Sequence, residues 1–201
     1  MFFKRNEVKV EHKLIECLKG RNMELSEQIE YLENKLSAIN DIPLFFKWYK
    51  ELIHGEKEYV LYIWETETSL DFSLKEIETN SEVCSANLGI ELMSLDYFNN
   101  DMRMYKKLHL GRLDTDEHHR SQGLGSLLLD EIKAYAKENN YWIIDYLSYQ
   151  TSKVEDIRRE KFYYKNGFRN YEWINPSGSL VTINMHTDES IKKLVEEINS
   201  K

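Results

Sequence analysis

The chain has 201 residues, of which 41% are apolar and 31% charged, and its formal net charge is −8. This composition can form one ordinary core and is too apolar for a disordered chain. The acidic balance argues against nucleic acid as the main partner, because proteins that bind it usually present a basic face. No apolar run approaches the roughly 20 residues of a membrane helix, so we expect no membrane association.

The first 40 residues have the pattern of one long helix with a coiled-coil seam. Heptad positions a and d are occupied by Ile15, Asn22, Ile29 and Leu36, and by Leu18, Leu25, Leu32 and Ile39. Ile at a with Leu at d favours a parallel pair of helices, in which one Asn at a commonly fixes the register. We therefore expect residues 8–39 to form a homodimeric coiled coil, with residues 1–40 separate from a globular domain over 41–201. The alternative is a single amphipathic helix that lies on that domain.

Residues 41–201 contain both strand and helix patterns, without internal repeats. After Pro43, the aromatic stretch 44–53 is predicted to be helical. Strands are predicted at 58–65, 69–77, 83–95, 105–115 and 141–148, and helices at 123–138 and 153–166. Gly167 is a favourable residue to end the second helix. A hairpin over 168–174 and 180–186, then a helix over 188–199, complete the prediction.

The most informative segment is a glycine loop, residues 120–125, between a predicted strand and a long helix. Such a turn presents several free backbone N–H groups, and the helix dipole favours an anion there. Gly123 and Gly125 have no Cβ, so a pyrophosphate could approach the backbone closely. The spacing fits neither the dinucleotide fingerprint, whose third glycine would fall at Leu128, nor a P-loop. Taken alone, the loop is equally well explained as an ordinary tight turn.

A second segment, 162–168, reads Phe-Tyr-Tyr-Lys-Asn-Gly-Phe. It is similar to the Phe-Tyr-x-Lys-x-Gly-Phe segment of the GNAT superfamily of acetyl-CoA-dependent N-acetyltransferases. The glycine loop resembles the same family's Arg/Gln-x-x-Gly-x-Gly/Ala signature, and the resemblance covers about 108–186. It implies an α+β fold with a mixed sheet, the GNAT acyl-CoA N-acyltransferase fold, here preceded by a coiled-coil helix. Without the resemblance, the aromatic residues could simply be core around a helix end.

The resemblance also implies a site for acetyl-CoA as cosubstrate. The loop amides would hold the pyrophosphate, and the strand end at Leu113 and Thr115 would pair with pantetheine. Tyr163, not Tyr164, would protonate the departing thiolate, since a tyrosine with a pKa of about 10 keeps its proton at neutral pH. The implied cofactor-binding residues are Leu113, Asp114, Thr115, Arg120, Ser121, Gln122, Gly123, Leu124, Gly125, Ser126, Asp156 and Tyr163.

The general base is less determined by the sequence. A lysine-like amine has a pKa of about 10.4 and is mostly protonated at pH 7, so some group must accept its proton. Glu91 and His109, on the two strands before the loop, are candidates. The segment 116–119, Asp-Glu-His-His, lies nearer the loop, and each of these side chains could equally be a solvated residue. No metal is expected, because Cys17 and Cys84 lack metal-ligand spacing.

Together these features predict a cytoplasmic enzyme that transfers an acetyl group directly to a primary amine of a small molecule or a protein. The family usually has two helices after its first strand that shape the acceptor pocket. The sequence between Tyr59 and Val83 instead has a strand pattern, so the acceptor stays open. The alternative function is a non-catalytic coiled-coil adaptor with a CoA-binding or degenerate GNAT-like domain. Acetylation of charged tRNA is disfavoured by the acidic balance.

Overall fold

The computed structural model describes residues 2–40, 45–94, 104–147, 153–169 and 180–184, with backbone alone for 2–15 and for a few residues elsewhere. The elements are α1 (Phe2–Asn40), β1 (Lys47–His54), β2 (Lys57–Glu65), β3 (Ser69–Glu76), β4 (Ser81–Ser94), β5 (Met104–Thr115), α2 (Leu124–Glu138), β6 (Ile143–Leu147), α3 (Lys153–Lys165) and β7 (Leu180–Asn184). Within this part of the chain, no helix has the length and apolar character needed to cross a membrane.

The seven strands form one mixed sheet in the order of the chain, β1 to β7. Every pair is antiparallel except β5 and β6, which run parallel because α2 carries the chain back between them. The parallel pairing is short, from Lys107 opposite Ile143 to His109 opposite Asp145. Beyond His109, β5 continues to Thr115 without pairing to β6. The two strands therefore diverge, and the predicted α+β fold with a mixed sheet is confirmed.

A bulge in β5 changes which residues face the helices. Leu110 lies opposite Leu88 and Arg112 lies opposite Asn87, so Gly111 is an extra residue in the ladder. Side chains alternate along a strand, and one extra residue reverses the alternation. Leu113 consequently packs against the same core as Leu110.

The main core lies between one face of the sheet and helix α2. The inward face of α2 consists of Leu124, Leu128, Leu129, Ile132, Tyr135 and Ala136. These residues join buried side chains of β2 to β6 in one cluster, which also contains Tyr163 of α3 and Phe168. Both sequence motifs therefore lie on the same side of the sheet.

Helix α1 uses two different faces. Near its end, the Tyr31 hydroxyl donates to Glu58 at 2.5 Å, Lys35 pairs with Glu51 at 2.7 Å, and Ala38 is fully buried. In heptad terms these contacts come from positions c and g. The seam residues Leu18, Leu25, Ile29, Leu32 and Leu36 are more than half exposed. The last turns of α1 thus pack on the domain, as the alternative expected, while the predicted coiled-coil seam has no partner among the described residues.

One predicted helix is wrong, and two other predicted elements lie partly or wholly outside the described residues. In the stretch 44–53, which was predicted to be helical, residues 47–53 belong to strand β1. Gly55, at φ +66°, forms a two-residue turn with Glu56, and His54 pairs with Lys57, so the segment is the first strand of a hairpin. The direct link from β2 to β3 agrees with the expected lack of helices between Tyr59 and Val83. The helix over 188–199 and most of the strand over 168–174 lie outside the described residues.

Candidate functional site

A cavity of about 860 Å³ opens where β5 and β6 diverge. Its walls are the end of β5, the glycine loop, the start of α2 and the side of α3 that faces them. This volume falls in the range of pockets that hold small molecules and cofactors, roughly 300–1,000 Å³. The expected residues Leu113, Asp114, Thr115, Arg120, Ser121, Gly123, Leu124, Gly125, Ser126 and Tyr163 all line it.

The glycine loop turns sharply into α2. Gly123 has φ +86° and lies directly before the first helical residue, Leu124, and no side chain caps the helix. The Ser126 amide donates to the Gly123 carbonyl at 3.0 Å. The amides of Leu124 and Gly125, by their position in the first turn, have no acceptor inside the helix. A helix start with free amides on the cavity wall is suited to an anion.

The two glycines also allow close packing between protein elements. A Cβ at Gly125 would lie 3.3 Å from Phe162 of α3, and a Cβ at Gly123 would lie 3.1 Å from His54. His54 is at the tip of the β1–β2 hairpin, and its Nε2 donates to the Gln122 carbonyl at 2.7 Å. The hairpin therefore holds the glycine loop in place. No local sequence pattern marks His54, because its contact partner is 68 residues away.

The cavity wall is strongly cationic although the whole chain is acidic. Among the described lining residues, the cations are Arg112, Arg120, Arg158, Arg159 and Lys165, and Asp114 is the one carboxylate. Arg112 is paired with Asp114. Such a concentration of guanidinium groups is suited to a ligand with several phosphate charges. The motifs did not indicate Arg158 and Arg159 as site cations, because both lie before the Phe-Tyr segment, whereas Lys165 is part of it.

Two stacked tyrosines form the apolar end of the cavity. The Tyr163 ring lies 4.2 Å from that of Tyr146, and the edges of Phe162 and Phe168 also contact it. Burial, and to a lesser degree Tyr146, raises the pKa of Tyr163 well above the ordinary value of a tyrosine. Tyr163 is 5% exposed and lines the cavity, whereas Tyr164 is largely exposed and does not. The phenol of Tyr163 therefore stays protonated over the whole neutral range.

A polar row crosses β4, β5 and β6 next to the point where β5 and β6 diverge, and its residues are not among those that line the cavity. Lys107 Nζ lies 2.8 Å from Glu91 and 2.7 Å from Asp145 Oδ2, and Asp145 Oδ1 lies 2.7 Å from His109 Nδ1. Lys107 and His109 alternate with Leu108, which packs in the core, so the row lies on the face opposite α2. His109 is the last residue paired to β6 before the strands diverge. The row thus links the two predicted base candidates, Glu91 and His109, through residues that were not predicted.

The charges in the row distinguish the two candidates. The hydrogen bond from Lys107 lowers the pKa of Glu91, so this carboxylate is a weaker base than an ordinary glutamate. Burial would lower the pKa of Lys107, but the hydrogen bonds to Asp145 and Glu91 outweigh it and raise that pKa. Asp145 is 2% exposed. The one signal for it in the sequence was a lone carboxylate in an otherwise apolar strand.

The remaining base candidates stabilise the turn after β5. Asp116 accepts hydrogen bonds from the His118 amide and from His119 Nδ1, both at 3.0 Å. The bond from His119 is the main reason that the pKa of Asp116 is lowered. Glu117 and His118 are largely exposed. No group of three His, Cys, Asp or Glu side chains in the described ranges could hold a metal ion.

Two further predicted residues have an incomplete description. Asp156 lies on α3, but its side chain is outside the described part of the chain. Gln122 belongs to the glycine loop, and its side-chain amide donates to the His118 carbonyl at 3.2 Å. Its contribution to the site is therefore through the backbone.

Comparison with known proteins supports the family resemblance. A family model described as an acetyltransferase (GNAT) domain matches residues 80–170. The chain is also similar to a solved structure of a mutant BH1408 protein from Bacillus halodurans, with 21% identity, 53% of this chain and 62% of that chain covered, and a TM-score of 0.44. No curated protein matches it.

Two further solved structures are similar at lower identity. One is the PaiA N-acetyltransferase from Thermoplasma acidophilum in complex with coenzyme A, with 18% identity, 58% of this chain and 61% of that chain covered, and a TM-score of 0.41. The other is the GNAT family N-acetyltransferase YhbS from Escherichia coli in complex with CoA, with 13% identity, 59% and 60% covered, and a TM-score of 0.41. The chain spans less than two thirds of the length of these two proteins and of BH1408.

Proposed function

This chain belongs to the GNAT superfamily of acetyltransferases through residues 80–170, and from that membership we propose that it transfers an acetyl group from acetyl-CoA directly to a primary amine. The acceptor is a small molecule or a protein. The observation that carries the proposal is a cationic cavity lined by the glycine loop and the buried Tyr163 where β5 and β6 diverge. The pair of His109 and Asp145 lies at the same point of divergence, on the opposite face of the sheet.

The cavity supports acetyl-CoA as the donor. The free amides of Leu124 and Gly125 would hold the pyrophosphate, with Arg120 beside them. The cations on α3 face the same space and would neutralise further phosphate charge. The end of β5 from Leu113 to Thr115 is paired with β4 but not with β6, and its free edge would pair with the pantetheine amides as an added half-strand. This arrangement directs the thioester towards the divergence of β5 and β6.

The transfer divides two proton movements between the two sheet faces. The amine nitrogen forms a bond to the thioester carbonyl carbon, and one amine proton moves to His109 Nε2. The tetrahedral intermediate then breaks its carbon–sulfur bond, and Tyr163 gives its phenolic proton to the departing thiolate. Release of the His109 proton to water and reprotonation of Tyr163 restore the enzyme. The products are an amide and free CoA.

His109 is favoured over Glu91 as the base. Glu91 is held as an ionised partner of Lys107, and its lowered pKa makes proton transfer to it less favourable. His109 uses Nδ1 to bind Asp145, which leaves Nε2 as the nitrogen that can meet an amine. Histidine is also the side chain that exchanges protons most readily near neutral pH.

The second candidate function is the adaptor, and the exposed seam of α1 is the observation that favours it. We propose that residues 8–39 pair in parallel with a second copy of the chain. The docked contacts come from Tyr31 and Ala38 at position c and from Lys35 at position g, so they leave the exposed a and d side chains available for pairing. Pairing supports both functions, so it does not decide between them.

The experiment that separates the two functions measures cofactor binding and turnover on the full chain. Isothermal titration calorimetry with acetyl-CoA, and CoA release in the presence of a panel of primary amines, should both give signals. Binding without CoA release for any amine, protein lysines included, would favour the adaptor with a CoA-binding domain. No binding would remove both the enzyme and that form of the adaptor.

A further inference from the structure

We propose that Asp145 is a positioning residue that holds His109 with its proton on Nδ1, so that Nε2 is the proton acceptor. Lys107 supports this by donating a hydrogen bond to the other carboxylate oxygen of Asp145. The inference deepens the proposed acetyl transfer and rests on it for the catalytic consequence. The orientation of His109, however, is a property of the resting protein.

The geometry of the parallel strand pair brings the two residues together. His109 and Asp145 are directly opposite each other in the last paired position of β5 and β6. Each carboxylate oxygen of Asp145 has its own partner, since Oδ1 lies 2.7 Å from His109 Nδ1 and Oδ2 lies 2.7 Å from Lys107 Nζ. Because both oxygens are engaged, the carboxylate has little freedom to rotate.

The buried position of Asp145 determines what it can do to His109. An isolated carboxylate buried to this extent is strongly disfavoured, but an ammonium group at hydrogen-bond distance compensates its charge. An ionised carboxylate can only accept hydrogen bonds. The nitrogen of His109 that faces it must therefore carry a proton, and in a neutral imidazole the other nitrogen, Nε2, then has the lone pair.

The same arrangement stabilises the product of proton abstraction. When an amine proton arrives at Nε2, the imidazole becomes a cation, and its second N–H already points at the Asp145 carboxylate. A charge-assisted hydrogen bond is roughly twice as strong as a neutral one, so the protonated state gains most from this contact. Asp145 itself keeps no proton, and the proton passes from Nε2 to water after the transfer.

Glu91 lies at the outer end of the row and serves as the matched control. Its side chain is 50% exposed and contacts Lys107, not Asp145 or His109. Lys107 keeps its bond to Asp145 if Glu91 is neutralised. The proposal therefore expects a large effect from Asp145→Asn and a small one from Glu91→Gln, although both remove one negative charge from the same row.

The first test is the tautomer of His109 in the full chain, read from imidazole ¹⁵N chemical shifts, with His109→Gln used for assignment. The wild-type neutral imidazole should carry its proton on Nδ1. Asp145→Asn should shift His109 towards the other tautomer or a mixture, and Glu91→Gln should not. A wild-type His109 with its proton on Nε2 would overturn the proposal, whether or not the protein acetylates anything.

The second test is kinetic. With an accepted amine, Asp145→Asn should lower kcat by roughly 10²-fold and alter its pH profile, while the Kd for acetyl-CoA changes little. Glu91→Gln should stay within about threefold of wild type. An unchanged kcat in folded Asp145→Asn would overturn the catalytic consequence. A wild-type chain with the expected tautomer but no turnover would overturn the proposed function and leave the positioning of His109 supported.

Discussion

The cleft and helix α1 differ in where the residues of their sequence motifs find their contacts. At the cleft, the glycine loop, the end of β5 beyond its bulge and the segment at Tyr163 come together within one chain and line one cavity. At α1, most of a heptad seam of comparable regularity stays exposed, and the contacts with the domain come from heptad positions c and g. The residues of a sequence motif can therefore make their contacts within the same chain, or they can form a surface that binds another chain.

The largest expected effect is on α1, where breaking the seam should abolish pairing. The double substitution Leu25→Lys and Leu32→Lys places like charges at neighbouring d positions and should convert a dimer to a monomer in light scattering. Glu24→Lys changes the charge by the same amount at a position outside the seam, and it should leave the dimer intact. A monomeric wild-type protein would contradict the pairing, and it would mean that α1 packs only on its own chain.

At the cleft, the largest effect should come from Tyr163→Phe. The change keeps the stacked ring and its packing against Tyr146 but removes the proton donor, so kcat should fall by roughly 10²-fold or more. The Kd for acetyl-CoA should be little changed. Tyr164→Phe is the control, because Tyr164 is outside the cavity, and an equal loss there would contradict the assignment.

A smaller effect is expected from the cations on α3. Arg158→Glu places a carboxylate on the cavity wall and should weaken acetyl-CoA binding by roughly tenfold, or about 1.4 kcal/mol, in calorimetry. Lys161→Glu makes the same charge change on an exposed position of α3 that does not line the cavity. Equal weakening in both variants would mean that the net charge of the helix, and not the cavity wall, attracts the ligand.

The smallest effect concerns the ion pair between the buried Glu76 and the largely exposed Lys57. Burial disfavours the charge of Glu76, but hydrogen bonds from Lys57 and Thr79 outweigh it and lower its pKa. A carboxylate with a lowered folded-state pKa stabilises the fold above its ordinary pKa, and this contribution is lost as the pH falls through the folded pKa. Lys57→Met should therefore reduce the free energy of urea unfolding at neutral pH, with a difference from wild type that shrinks in acid. Lys47→Met should show no such pH dependence.

The parts of the site that the sequence predicted are those carried by contiguous residues. The glycine loop and the segment at Tyr163 each lie within one turn and its flanks, so local pattern was sufficient to find them. Asp145, Gly111 and His54 act through partners on other strands, and no local pattern marks such partners. The wrong helix at 44–53 has the same origin, because pairing of β1 with β2 outweighed the local preference of an aromatic stretch. The exposed seam of α1 could be predicted as a pattern, but its partner could not.

The extra residue at Gly111 changes the shape of β5 without changing which partner each neighbouring residue has. Leu110 and Arg112 already lie opposite the consecutive residues Leu88 and Asn87, so removal of Gly111 would give a regular ladder with the same pairs. Leu113 would keep its place against the core, and the bend and the extra twist that a bulge gives to a strand would be lost. Loss of this one codon should therefore alter the course of β5 beside the cleft while every residue of the cleft wall keeps its face of the sheet.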